Sequence, residues 1–135
     1  MTVALLALLL ACGTAPEPPV AAVGGEPVST AAPRDIDVAT LKGKVDAGGT
    51  FVLDVRTPGE FAQGHVPGAV NIDMQDLPTR LAELEPHKGK DIAVICAVGG
   101  RSDSATSFLR EKGYGTASNV LGGTQAWARA GYPLE

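Results

Sequence analysis

Charge, aromatic rings and cysteine are all scarce in this chain. Only 19% of its 135 residues are Asp, Glu, Lys or Arg, with 11 basic against 15 acidic and a formal charge of −4. No cluster of Lys and Arg occurs, which argues against nucleic acid as a partner, because that binding rests on neutralising phosphates. Aromatic residues make up 4% of the chain, so any core is built from Val, Leu, Ile and Ala. Two cysteines, Cys12 and Cys96, and two histidines, His65 and His87, are too few and too scattered to read as a metal site. The cysteines could close one disulfide, yet each has a better separate use. No long hydrophobic run is present either: Val3 to Ala11 is too short to span a bilayer as a helix. What remains is 44% hydrophobic residues with 17 Gly and 10 Pro. That suits one compact α/β domain of about 100 residues and little more.

The chain divides into three parts. Residues 1–11 have the apolar stretch of an export signal. The tetrapeptide Leu9-Leu10-Ala11-Cys12 resembles the lipobox of bacterial lipoproteins, in which the cysteine is lipidated and becomes the mature N-terminus. The resemblance implies an exported protein held to a membrane by lipid on Cys12, in the periplasm or at the cell surface. The alternative is a cleaved signal with an incidental cysteine. Residues 12–34 contain the lipid anchor site and GTAPEPPVAAVGGEPVSTAAPR, which has no helical or strand period and reads as a disordered tether. Extended, it would reach roughly 60–70 Å.

Residues 35–135 are the folded domain. Asp37 is placed to cap a helix carrying Val38, Leu41 and Val45 on one face, stopped by Gly48-Gly49. FVLDV (51–55) and DIAVIC (91–96) are nearly continuous apolar runs, as fully buried strands are, and AVNI (69–72) is a shorter candidate. A helix is expected from Asp76, with Leu77, Leu81 and Leu84 in register. Ser102 is expected to cap another, with Ala105, Phe108 and Leu109 inward and Gly113 beyond its end. A last strand lies near Thr116 to Leu121, and Gly122-Gly123 leads to a short helix around Trp127. Strands alternating with helices predict an α/β fold, a parallel sheet with helices on both faces.

The chemistry concentrates in ICAVGGRSDS, residues 95–104. A cysteine at the end of a core strand is, taken alone, a small buried hydrophobe. Here it is followed by a loop almost bare of side chains, at the carboxyl end of a strand, where open α/β sheets bind their ligands. Gly99 and Gly100 let backbone N–H groups turn inward as an anion nest, and the following helix adds its own free N–H groups. The natural anion is the Cys96 thiolate. An ordinary thiol with pKa near 8.5 is only about 3% ionised at neutral pH, so such a nest raises its reactivity many-fold. Arg101 brings a permanent positive charge to the loop, placed to bind an anionic substrate or to hold the loop through carbonyls. Asp103 can face solvent.

Three stretches in order, VLDVRTPGEFAQGHVPGAVNI (52–72), ICAVGGRS (95–102) and NVLGGTQAWARAGYP (119–133), resemble a single-domain rhodanese, a thiosulfate sulfurtransferase-like domain. The resemblance covers Asp35 to Glu135. It implies a rhodanese-like parallel sheet of about five strands and no metal or organic cofactor. It also implies that Cys96 takes a sulfane sulfur from a donor as a persulfide and passes it to a thiol or cyanide. Carried over, Cys96 is the nucleophile and Arg101 closes the loop. Ala97, Val98, Gly99, Gly100, Arg101 and Ser102 form the substrate cradle. The loop from Cys96 to Arg101 is one residue shorter than in the related phosphatases and arsenate reductases, which favours sulfur transfer.

Asp54 and Arg56, two apart at a strand end, point to one face; by the resemblance they are structural support, and His65 in GHVPGA supports structure rather than acting as a base. His87 is expected in a solvated turn and Trp127 in packing. Ala97 and Val98 are neutral where many rhodanese loops carry basic or polar residues, which points to polysulfide or persulfide rather than thiosulfate as donor. The competing functions are a sulfur-carrier or binding module of the same fold and, less favoured, a phosphatase or arsenate reductase.

Overall fold

The computed structural model describes residues 32–135; the expected signal, lipid-anchor cysteine and nearly all of the tether lie outside them. Five strands form a single sheet: β1 (Asp35–Ile36), β2 (Phe51–Asp54), β3 (Val70–Asn71), β4 (Ile92–Ile95) and β5 (Ala117–Val120). Their order is β1-β5-β4-β2-β3 and every pairing is parallel. The central strands β2, β4 and β5 are buried on both faces, which is why β4 and the first three residues of β2 run apolar without alternation, whereas β5 buries Ser118 and Asn119.

Two cores result, one on each face. Val52, Ala93, Ile95 and Val120 pack with Leu41 of α1 (Val38–Ala47) and Trp127 of α5 (Gly123–Arg129). Leu53, Ile92, Val94 and Cys96 pack on the other face with Leu77 of α3 (Leu77–Arg80) and with Ala105 and Leu109 of α4 (Gly100–Glu111). The two-residue strand period therefore decides the position of the cysteine: Ile92, Val94 and Cys96 share a face, and that face lies under α4.

Asp37 caps α1 by accepting from the Thr40 N–H at 2.7 Å, and Gly48, in the left-handed region, closes it. The helix expected from Asp76 does start there, as α3, and only the expected start of α4 is displaced. Asp76 makes no capping bond; Asp73 organises that turn, accepting from Gln75 N with its side chain and from Leu77 N with its carbonyl. The helix lasts one turn and continues as a 3₁₀ segment over Leu81–His87, where Pro86 has no N–H to offer a regular α ladder. Leu77 and Leu84 still reach the core. Ser102 is likewise not a cap: α4 begins at Gly100 after Gly99, and Ser102 lies buried in its first turn.

Strand β1 is too short to show a pattern in sequence, and residues ahead of it already belong to the fold. Arg110 donates to the Ala32 carbonyl at 2.6 Å, Ser118 bonds the Pro33 carbonyl, and Asn119 N donates to Arg34 O at 2.6 Å. Ala32, Pro33 and Arg34, ahead of Asp35, are thus bonded to α4 and β5. Among the described residues no helix is long and apolar enough to cross a membrane.

Candidate active site

Cys96 follows β4 directly and has no solvent-exposed surface. Gly99 adopts φ +107, a conformation glycine tolerates, and its N–H donates to Cys96 Sγ at 3.1 Å. Ser102 Oγ stands 3.3 Å from the same sulfur. Burial pushes the Cys96 thiol up, but the Ser102 hydroxyl and the N–H groups of Ser102, Gly99 and Val98 outweigh it, and the net shift is downward. The three N–H donors are fixed by the backbone, whereas the hydroxyl proton can rotate.

A second helix start turns the loop carbonyls the other way. Thr124 N donates to Cys96 O at 2.8 Å and Gln125 N to Ala97 O at 3.1 Å. With those carbonyls held by α5, the N–H groups of the following residues are left to face the sulfur. The approach is so close that a Cβ on Gly123 would lie 2.3 Å from Cys96 O. Gly123 thus serves the cysteine loop as well as the start of α5.

Ser102 also stands 2.6 Å from Asn119 Oδ1. A serine carries one hydroxyl proton. It can go to Asn119 or to Cys96, not to both at once.

Arg101 does not reach into the loop centre. Its guanidinium meets the Glu60 carboxylate through two hydrogen bonds of 2.8 Å each. Glu60 is held by the capping box that starts α2 (Pro58–Ala62): the Thr57 N–H and hydroxyl donate to Glu60 Oε2, and Thr57 Oγ1 accepts from Glu60 N. Arg101 first, and Thr57 after it, lower the Glu60 pKa to about 2.

The loop before α2 is anchored in turn by Asp54 and Arg56, both buried. Arg56 donates to Asp54 at 2.7–3.0 Å and to Gly64 O at 2.8 Å. Asn71 ties the same loop by donating to the Asp54 and Arg56 carbonyls at 3.0 and 2.8 Å.

The structure therefore gathers Cys96, Gly99 and Ser102 around one sulfur, with Ala97 half-buried and Val98 exposed at the rim. Gly100 is the first residue of α4. His65 is elsewhere engaged: its ring stacks on Phe61 at 3.7 Å, its Nδ1–H donates to Phe61 O at 3.0 Å, and its backbone pairs with Glu135. His87 is not free in solvent but half-buried and stacked on Phe51 at 3.9 Å. Trp127 is fully buried, donating to Pro133 O at 2.8 Å. Asp103 faces outward and pairs with Arg34 at 2.9 Å.

Three residues of the site escape sequence reasoning. Glu60 had a signal, the Thr-Pro-Gly-Glu spacing of a capping box, but nothing in the sequence links it to Arg101. Asn119 and Gly123 had none, since their neighbours are brought in by the sheet.

Comparison with known proteins places this geometry. A family model described as a rhodanese-like domain matches residues 37–130. A sulfurtransferase of Allochromatium vinosum is 38% identical over 102 residues, covering 75% of this chain and 94% of that protein. Thiosulfate sulfurtransferase 16, a chloroplastic protein of Arabidopsis thaliana, is 37% identical, covering 76% of this chain and 93% of its own length. The crystal structure of a rhodanese-related protein from Thermoplasma volcanium superposes with a TM-score of 0.70 at 37% identity, covering 76% of this chain and 98% of that one.

Proposed function

The chain belongs to the rhodanese-like family, and on that premise we propose that it is a sulfurtransferase working through a Cys96 persulfide. The single observation that carries the proposal is the buried sulfur facing the Gly99 N–H at 3.1 Å and the Ser102 hydroxyl at 3.3 Å, in a loop that lowers its pKa. In the first step the Cys96 thiolate attacks the sulfane sulfur of the donor. A new S–S bond forms, the donor's bond to that sulfur breaks, and the remainder leaves with the bonding pair: sulfite from thiosulfate, a thiolate from a persulfide. In the second step an acceptor thiolate or cyanide attacks the outer sulfur, and Cys96 departs as thiolate. The cradle N–H groups favour the anionic sulfur at both ends of the cycle.

The donor is a polysulfide or persulfide rather than thiosulfate. Ala97 and Val98 bring no charge, and the Arg101 guanidinium is matched by Glu60. The protein is exported and held at a membrane by lipid on Cys12, as the lipobox-like Leu9–Cys12 suggests.

The test is the intact mass of the full chain after incubation with polysulfide or with thiosulfate, beside a Cys96→Ser variant. Gain of one sulfur atom on the native protein alone, removed by cyanide, is expected with polysulfide. No gain from either donor on folded, reduced protein would sink the proposal. Loading without turnover would favour the sulfur-carrier alternative.

A further inference from the structure

Cys96, Ser102, Asn119 and Asp35 form one line of polar contacts from the sulfur to the surface. Ser102 Oγ lies 3.3 Å from Cys96 Sγ and 2.6 Å from Asn119 Oδ1, and Asn119 Nδ2 donates to Asp35 Oδ1 at 3.2 Å. Ser102 and Asn119 are buried, whereas Asp35 lies exposed on the edge strand. Strand register sets the line: Asp35 stands opposite Asn119, and Asn119 opposite Val94, whose face Cys96 shares.

With its carbonyl toward Ser102, Asn119 takes the serine's one proton, and the sulfur meets an oxygen lone pair. That arrangement suits the thiol, whose S–H can donate to Oγ, and opposes the thiolate. Turning the amide over presents Nδ2 to Ser102 Oγ and frees the hydroxyl proton for the sulfur. It also sets Asn119 Oδ1 against the Asp35 carboxylate, acceptor against acceptor. The two orientations therefore differ at both ends of the amide.

We propose that Asn119 is a positioning residue whose amide orientation decides whether Ser102 donates to Cys96, and that Asp35 holds it in the orientation that withholds the donor. The proposal rests on Cys96 being the nucleophile. Other charges nearby have their own partners. Arg34 lies 4.0 Å from Asp35 and 2.9 Å from Asp103, Arg101 is paired with Glu60 and has Asp73 in its field, and Asp54 is paired with Arg56. None of these hydrogen-bonds the Asn119 side chain among the described residues. Asp35 lies where the Pro- and Ala-rich segment joins the sheet, so displacing β1 from β5 would release the same restraint.

The test is the pH dependence of Cys96 alkylation by iodoacetamide in the full chain, read on the Cys96 peptide so that Cys12 does not contribute. Asp35→Asn keeps the shape and gives the turned amide a donor in place of the carboxylate. The expected result is a midpoint lower by about one pH unit, a roughly tenfold gain in thiolate below it. In Ser102→Ala and Asn119→Ala backgrounds the same substitution is expected to have no effect; if Asn119→Ala does not fold, the Ser102→Ala background decides. An unchanged midpoint in the otherwise native protein overturns the proposal. So does an equal shift in the variant backgrounds, which would mean simple through-space charge. Alkylation reads the thiolate and not sulfur transfer, so failure here is distinct from failure of the proposed reaction.

Discussion

Arg101 and Glu60, 41 residues apart in the chain, face each other through two hydrogen bonds of 2.8 Å. The pair joins the first turn of α4 to the first turn of α2, and it matches a positive charge that acts on the sulfur with a negative one. Glu60→Gln is expected to leave the fold intact and free that charge, lowering the thiosulfate KM several-fold while polysulfide kinetics change little. Adding charge directly, with Ala97→Lys and Val98→Arg, is expected to act in the same direction. Steady-state kinetics with both donors check this, and an unchanged thiosulfate KM in both variants contradicts it.

The same pair sets an acid limit. Glu60 has a folded pKa depressed to about 2 from an ordinary value of 4.5. A depressed carboxylate contributes stability above its unfolded pKa and loses it as pH falls through the folded one. The contribution of Arg101–Glu60 is therefore complete at pH 5 to 7 and declines only between about 4.5 and 2. Changes in sulfur-transfer rate between pH 5 and 8 are expected to follow Cys96 rather than Glu60 itself, and Glu60→Gln, by freeing Arg101, is expected to move the midpoint of that profile downward.

Ser102 supplies a hydrogen bond that matters chiefly to the ionised sulfur. Hydrogen bonds to charged groups are worth about 1.5–3 kcal/mol, and one pKa unit corresponds to about 1.4. Ser102→Ala is thus expected to raise the Cys96 midpoint by about one unit in the Asp35→Asn protein, where the hydroxyl is free to turn to the sulfur, and to change it little in the otherwise native protein, measured by alkylation rate against pH.

Gly123 combines φ +57 with a Cβ position 2.3 Å from Cys96 O. Gly123→Ala must push the cysteine loop away from α5 and break the Thr124 and Gln125 bonds to it. A loss of about 3 kcal/mol or more in urea unfolding is expected, together with loss of sulfur transfer. Gly43, inside α1 with nothing within 4 Å of its Cβ position, is the control. Gly43→Ala is expected to stabilise by about 0.5–1 kcal/mol and leave activity unchanged.

Arg56 has a side-chain exposure of 7% and Asp54 of 0%. Arg56→Met strands a buried carboxylate, and such broken pairs cost about 3–5 kcal/mol. Denaturant unfolding is expected to show a loss of that size. Activity per folded molecule is expected to fall too, because Thr57 and Glu60 follow this loop directly.

Several features were determined by the sequence alone. FVL (51–53) and IAVI (92–95) are apolar without a break because parallel strands are buried on both faces, so their position in the sheet centre was legible. The cap at Asp37, the stop at Gly48 and the bare loop after Cys96 are local chemistry, written within a few residues of where they act. The start of α4 was misplaced by three residues because Ser102 has the composition of a cap, yet its side chain is spent on Cys96 and Asn119.

What only the tertiary structure decided is everything that joins distant segments. β1 has two residues and no pattern of its own; it exists because β5 offers it a ladder. Arg101 carries a charge in any reading, but whether that charge is free for a substrate depends on Glu60, which α2 delivers across the sheet end. Asn119 reads as an ordinary strand polar residue until β5 aligns it with Asp35 on one side and Val94 on the other. Local rules govern which backbone shapes a segment can take. The protonation and reach of a side chain are set by neighbours at long sequence distance, and only the packed sheet brings those neighbours together.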